Sequence, residues 1–446
     1  MSPPFPIRRR LVTALLPLAA LALSSCASPT APPASRQAVL DAALREQVQS
    51  GKVGAIAALV LREDGTVLYS GSAGETAPGN GTPPAPDSLF RLASMTKPFT
   101  SVAVMQLVEQ GRIGLDDPVG RWLPEFRNLR VRAPQAGGQT GGPAGTAARD
   151  RTVPAARQPT VRDLLRHTSG LSYTFLNVPG VVEAYRRLGV DDGLAAPGRA
   201  LDDNMRRLAR APLAMQPGSG WHYSLATDVL GAIVTRASGE PLDAYVARHI
   251  ATPLGLGSFA FHVPESARPR MVTALYPDAA GTLRPMASPQ VVPYPLSGGT
   301  WTADPNRAFS AAAYPSGGAG ATATIGDYGR FARMLLRGGE LDGARILKPE
   351  TVAEMTRPQT GAYPIDLRGP GYAFGYGFSV LTDPVAGKTR QGPGTYGWGG
   401  IYGTGFFVDP AHRIVTVVMT QTGVNGGPAA NAVREAVYGT LEAAGE

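Results

Sequence analysis

The sequence predicts an α/β fold, with antiparallel strands near both chain ends and helices between and around them. Two observations carry this. Strand-like runs at 53–61 and 66–72 are joined by Glu63-Asp64-Gly65, a strong hairpin turn signal. Further strand-like runs at 376–381, 396–408 and 414–421 precede a closing helical segment at 429–443. At 446 residues the chain exceeds what one core usually fills, so two closely packed lobes are expected. A hydrophobic content of 43% fits a globular protein rather than a disordered one. The net charge is +8, three units of it from Arg8, Arg9 and Arg10 in a segment expected to be removed. Without Lys/Arg runs elsewhere, the remaining excess is generic surface and argues against a nucleic-acid partner.

Residues 1–26 read as an export signal, with the three arginines followed by an apolar run at 11–23 too short to span a membrane comfortably. The run ends in Leu23-Ser24-Ser25-Cys26, which resembles a bacterial lipoprotein cleavage box. That resemblance implies lipidation of Cys26, the single cysteine, and the lack of a following aspartate implies the outer membrane. Either general or twin-arginine export suits Arg8-Arg9. Residues 27–35, rich in Pro and Ala, form a tether.

The globular region starts with an amphipathic helix at 36–49, followed by the hairpin and a Gly/Pro-rich loop at 79–86. Next comes Ser94-Met95-Thr96-Lys97 at the head of an apolar helix that Gly111 terminates. Pro98 is tolerated only in a first turn, which places Ser94 at the helix start. Residues 131–159 keep no hydrophobic period and read as a flexible insertion. Short helices follow at 160–165, 180–187 and 201–211, then loop-rich sequence to about 315 and a helix at 325–337.

Three stretches carry chemistry. Ser94 and Lys97, three residues apart, share one helix face, so an amine of lowered pKa can take the serine proton. Only four lysines occur, Lys52, Lys97, Lys348 and Lys388, in a chain that otherwise uses arginine, which cannot shuttle protons. An ordinary helix start with a surface lysine is the competing reading. Pro217-Gly218-Ser219-Gly220-Trp221-His222-Tyr223-Ser224-Leu225 presents Tyr223 before another helix. A nearby Lys97 ammonium would lower the phenol's pKa and make it a base; a tyrosine packed at a helix entrance, with Ser224 as N-cap, is as good an account. Trp398-Gly399-Gly400-Ile401 puts glycines inside a strand, for close approach of a substrate carbonyl or for a bulge. The five histidines show no metal-ligand spacing.

In this order, Ser94-x-x-Lys97, Tyr223-Ser224-Leu225 and Trp398-Gly399-Gly400, with His167-Thr168-Ser169-Gly170-Leu171 and Leu115-Asp116-Asp117-Pro118, resemble the serine β-lactamase and penicillin-binding-protein superfamily. The closest likeness is to the class C β-lactamase-like family VIII carboxylesterases. The resemblance implies an antiparallel β-sheet flanked by helices, built from about 36–110 and 300–446, with a mostly helical lobe inserted at about 111–299. It implies Ser94 as nucleophile, Lys97 and Tyr223 as proton-transfer groups, and the backbone N–H groups of Ser94 and Ile401 as the oxyanion hole. No cofactor or metal is implied, and the only membrane association is the lipid anchor. Class C β-lactamases carry asparagine at the Leu225 position and Lys-Thr-Gly at Trp398-Gly399-Gly400. With those polar groups gone from the substrate-binding positions Leu225, Trp398, Gly399 and Gly400, the expected substrate is a neutral short-chain ester. A β-lactamase or D-Ala-D-Ala carboxypeptidase of the envelope is the alternative; a non-catalytic binding protein is less favoured, because Ser94, Lys97 and Tyr223 are all kept.

Overall fold

Alternate residues of the first strand, β1 (Ala55–Arg62), point to opposite faces of a sheet that is covered on both sides. Ile56, Ala58 and Val60 pack with Leu40 and Leu44 of helix α1 (Arg36–Gln49) and with Val433 and Val437 of the C-terminal helix. Ala57, Leu59 and Leu61 join the larger core on the other face. The chain is described here from a computed structural model, covering Met1 and residues 35–133, 151–196, 198–424 and 426–445. The rest of the 1–26 signal segment including Cys26, tether residues 27–34, and 134–150 of the expected insertion lie outside the described residues. Residues 36–446 make one unit.

The hairpin partner is β2 (Val67–Gly74), and the remaining sheet strands are β3 (Tyr372–Phe374), β4 (Ser379–Leu381), β5 (Tyr396–Gly399), β6 (Gly405–Asp409) and β7 (Ile414–Thr420). They form a seven-stranded sheet in the order β3-β4-β5-β6-β7-β1-β2, and every pairing is antiparallel. The register Ile56↔Thr420 to Arg62↔Ile414 joins the two chain ends within the sheet, one strand in from the β2 edge. The expected antiparallel sheet flanked by helices is therefore present. The run at 396–408, expected as one strand, is two. The chain reverses at Gly400–Gly403, where Gly403 has φ +85° and its N–H donates to the Gly400 carbonyl at 2.8 Å.

Helix α2 (Lys97–Glu109) is buried almost throughout and lies against α3 (Ala226–Ser238). Phe99 is stacked between Phe259 and Phe331 at centroid distances of 4.0 and 3.7 Å. Phe331 belongs to α4 (Ile325–Leu336), which covers β1 and β7 on the face opposite α1. The last helix is α5 (Gly426–Ala444). The base of the expected insertion is regular rather than flexible: Arg130–Arg132 pairs antiparallel with Thr152–Pro154, Val131 opposite Val153. The period was invisible because each strand is three residues long. The loop-rich stretch before 315 also holds a hairpin, Gln290–Tyr294 with Gly299–Ala303.

Candidate active site

Ser94 lies in a 3-10 turn, Ala93–Thr96, that leads into α2, rather than in the α-helix itself. In a 3-10 turn positions i and i+3 eclipse, so Lys97 is set over Ser94 more directly than an α-helix would allow. Pro98 takes a first-turn position of α2, as its sequence context required. Ala93, before the serine, has φ +44°, a conformation that costs a non-glycine residue on the order of 1–3 kcal/mol. Neighbours hold the turn in place: Leu92 N–H donates to Ala321 O at 2.9 Å, Ala321 N–H to Thr96 Oγ1 at 3.1 Å, and the Tyr328 hydroxyl to Met95 O at 3.0 Å.

Lys97 is 1% exposed. Its Nζ donates to Ser94 Oγ at 3.2 Å, to the Tyr173 hydroxyl at 2.9 Å and to the Gly318 carbonyl at 2.8 Å. Burial pulls the amine down to about 7, against the opposing pull of the Asp228 and Asp192 carboxylates. A neutral amine here keeps two N–H bonds, to Tyr173 and Gly318, and turns its lone pair to the serine hydroxyl. Burial also raises Asp228, whose Oδ1 accepts from Ser316 Oγ at 2.6 Å. Gly318 admits no side chain, because a Cβ would stand 2.3 Å from Asp228 Oδ2 and 3.2 Å from the Tyr173 hydroxyl.

Tyr223 is brought to the same place by the His167–Leu171 segment. His222 N–H donates to His167 O at 2.9 Å, Gly218 N–H to Thr168 O at 2.7 Å, and Leu225 N–H to Ser172 O at 3.2 Å. The His167 ring lies 4.9 Å from the Tyr223 ring and shares a hydrogen bond with Ser224 Oγ at 3.1 Å. Gly170 is required where the two segments meet: its φ is +83° and a Cβ would stand 2.2 Å from Met215 O. The Tyr223 hydroxyl accepts from Trp398 Nε1 at 3.1 Å, and Lys97 Nζ lies 4.8 Å from its ring centroid. Burial raises the phenol above its ordinary value, outweighing its hydrogen bonds to Ser94 and Trp398. The expectation that Lys97 lowers it is thus reversed: the ammonium that would do so is itself destabilised by burial.

Ile401 occupies the second position of the Gly400–Gly403 turn, where an amide has no partner within the turn. The Ser94 amide lies in a first helical turn, also without an intrahelical acceptor. Among the described residues neither amide donates to a backbone carbonyl outside its own element. Both residues line a cavity of about 430 Å³, together with Tyr223, Trp398, Gly399 and Gly400. The glycines have an internal reason as well as any external one. A Cβ on Gly400 would meet Leu92 O at 2.3 Å, and one on Gly397 would meet Phe406 O at 2.1 Å. Leu225, expected to face substrate, is fully buried as the N-cap of α3 and is not part of the cavity wall. The N-cap role considered for Ser224 falls to Leu225, although Ser224 Oγ still accepts from Ala226 N–H at 3.3 Å.

Sequence reading missed three contributors. Tyr173, two residues beyond the His167–Leu171 motif, contacts Lys97. Tyr294, Pro295 and Leu296 at the 290–303 hairpin form another part of the wall, and Arg368 a third. Among the described residues no cluster of His, Cys, Asp or Glu is arranged to hold a metal.

Residues 40–439 match the family model described as Beta-lactamase. The chain is 41% identical over 407 residues to Esterase EstB of Burkholderia gladioli, covering 90% of this chain and 94% of that protein. The solved structure of EstCE1, described as a hydrolase with promiscuous acyltransferase activity, superposes with a TM-score of 0.79 at 33% identity, covering 91% of this chain and 98% of that one. A penicillin-binding protein homolog from Caulobacter crescentus shares the fold, with a TM-score of 0.63 at 21% identity over 92% of this chain and 98% of that one.

Proposed function

Because the chain belongs to the beta-lactamase family, and within it is a serine hydrolase of the esterase kind, we propose that it cleaves short-chain carboxylic esters through an acyl-enzyme on Ser94. The observation that carries this is the buried Lys97 amine, held 3.2 Å from Ser94 Oγ and pulled down to about 7. As Ser94 Oγ attacks the ester carbonyl, Lys97 takes its proton, and the amides of Ser94 and Ile401 receive the oxyanion. Collapse expels the alcohol, protonated from the Lys97–Tyr223 pair, and water then releases the acid by the same steps. Trp398 donates to Tyr223 and steadies whatever negative charge the phenol gains. Esters are favoured over β-lactams by the esterase relative and by the lack of an amine at Trp398, which lines the cavity.

The test compares p-nitrophenyl butyrate with nitrocefin on protein lacking residues 1–26, alongside Ser94→Ala. Ester turnover that disappears in Ser94→Ala, with nitrocefin slow or inert, is the expected result. Rapid nitrocefin turnover would reverse the substrate assignment while leaving the mechanism. Silence on both from folded protein would remove the esterase reading.

A further inference from the structure

We propose that the preferred ester carries a carboxylate, and that Arg368 receives it; this narrows the esterase reading and rests on it. Among the residues lining the cavity, Arg368 alone bears a formal charge at neutral pH. Its guanidinium carbon lies 5.0 Å from the centroid of the Trp398 ring, the same indole whose N–H is spent on Tyr223. A cation therefore stands one ring away from the reacting centre.

The guanidinium has no ion pair or side-chain hydrogen bond among the described residues, whereas Arg91 and Arg434 are both satisfied. Arg91 donates to the carbonyls of Pro305 and Val272 and to Gln421, and Arg434 pairs with Glu435 at 2.9 Å. The charged or titratable groups that bear on Arg368 are Tyr372, Tyr223 and Arg434; two are phenols and the third is a cation already paired. Asp366, two residues away, does not reach it within ion-pair distance among the described residues. Burial pulls Arg368 down to about 10, which leaves it protonated at neutral pH. Gly427 and Pro428, in the first turn of the 19-residue helix α5, lie on the same cavity, so its positive end adds to the same sign.

A half-buried guanidinium with five donors and no acceptor is an incomplete arrangement, and a planar carboxylate completes it with two parallel hydrogen bonds. Leu367, Ile401 and Val424 on the same cavity offer apolar surface for the remainder of the ligand, alongside the polar side chains of Thr404 and Asn431. The neutral ester expected from the sequence assumed that the cation was lost when tryptophan took the lysine position. The structure supplies one from another segment, laid across that tryptophan.

The experiment measures kcat/KM for three esters: neutral p-nitrophenyl butyrate, mono-p-nitrophenyl glutarate with the charge on the acyl side, and 4-(butanoyloxy)benzoate with the charge on the alcohol side. Wild type, Arg368→Met and Arg368→Lys are compared. In Arg368→Met the charged-to-neutral ratio should fall by about tenfold or more for one charged ester, chiefly through KM. Raised ionic strength should lower the same ratio in wild type, and Arg368→Lys should restore part of it. Which charged ester responds identifies the end of the substrate that faces Arg368. A ratio that stays within about twofold of wild type for both charged esters would overturn the proposal while leaving the esterase standing. Benzoate binding to Ser94→Ala, followed by tryptophan fluorescence, gives a readout without turnover. Binding abolished by adding Arg368→Met keeps the anion site even if every ester is inert; binding unaffected by it removes the site.

Discussion

A lysine sealed from water gives up its proton far more readily than one on the surface, and this dictates how Ser94 should respond to pH. The lowered pKa of Lys97 means that the amine is neutral above about 7 and charged below it. If it is the base, kcat/KM rises with pH through an inflection near 7 and then levels, instead of climbing towards the ordinary lysine value of about 10.4. A pH profile on p-nitrophenyl butyrate checks this. Lys97→Arg, with a charge that cannot be shed, should lose about 10²–10⁴-fold in kcat while the protein still folds. At this scale the sequence was legible where residue types recur in short local patterns: Ser94, Lys97, Tyr223 and Trp398 all lie in such patterns. Tyr173 and Arg368 do not. Their relation to the site is created by long-range packing, over 76 residues between Lys97 and Tyr173, and no spacing rule reaches that far.

Elements between the motifs do the positioning, and Asp163 shows how one short helix secures another segment. The helix Val161–Leu165 opens on a capping box in which Thr160 and Asp163 bond each other's backbone N–H. Asp163 also binds Arg157 at 2.5 Å and the Thr168 hydroxyl at 2.8 Å, so it fixes the start of the His167–Leu171 segment that holds Tyr223 in place. Burial pushes the Asp163 carboxyl up, but the hydrogen bonds from Arg157, Thr160 and Thr168 outweigh it and leave it at about 2. A folded pKa below the unfolded one stabilises above the unfolded value, so about 2 kcal/mol is present above pH 4 and lost as pH falls towards 2. Asp163→Asn should therefore lower unfolding free energy at pH 7 by about 2 kcal/mol and flatten the acid limb of a denaturant-midpoint titration. The helix was legible in sequence at 160–165, whereas its capping box comes from the structure. The reversal at Gly400–Gly403 was harder: hydrophobic residues continue on both sides of it, and the turn shows only as glycines that also fit a bulge.

The sheet was legible at the scale of the whole molecule because its strands are long enough at β1, β2 and β7 to show alternation and turn signals. The three-residue β3 and the paired base of the expected insertion are too short to show any, whereas β4 falls within the strand-like run at 376–381. The attachment of the whole molecule is a separate proposal. A lipid on Cys26 predicts that the wild-type protein partitions into detergent after metabolic labelling with palmitate, and that Cys26→Ser releases an unlabelled, fully active enzyme.

The pairing of β1 with β7 has a consequence for how the molecule comes into being. Ser94 and Lys97 are made early, but β1, which leads to them, finds its second neighbour only when residues 414–420 arrive, and Trp398 and Ile401 come little sooner. A nascent chain thus carries the nucleophile without the strand that completes its surroundings. Synthesis order withholds reactivity until nearly the last residue, as a zymogen does by a separate segment, and slow, long-range closure of the sheet should set the rate at which activity appears.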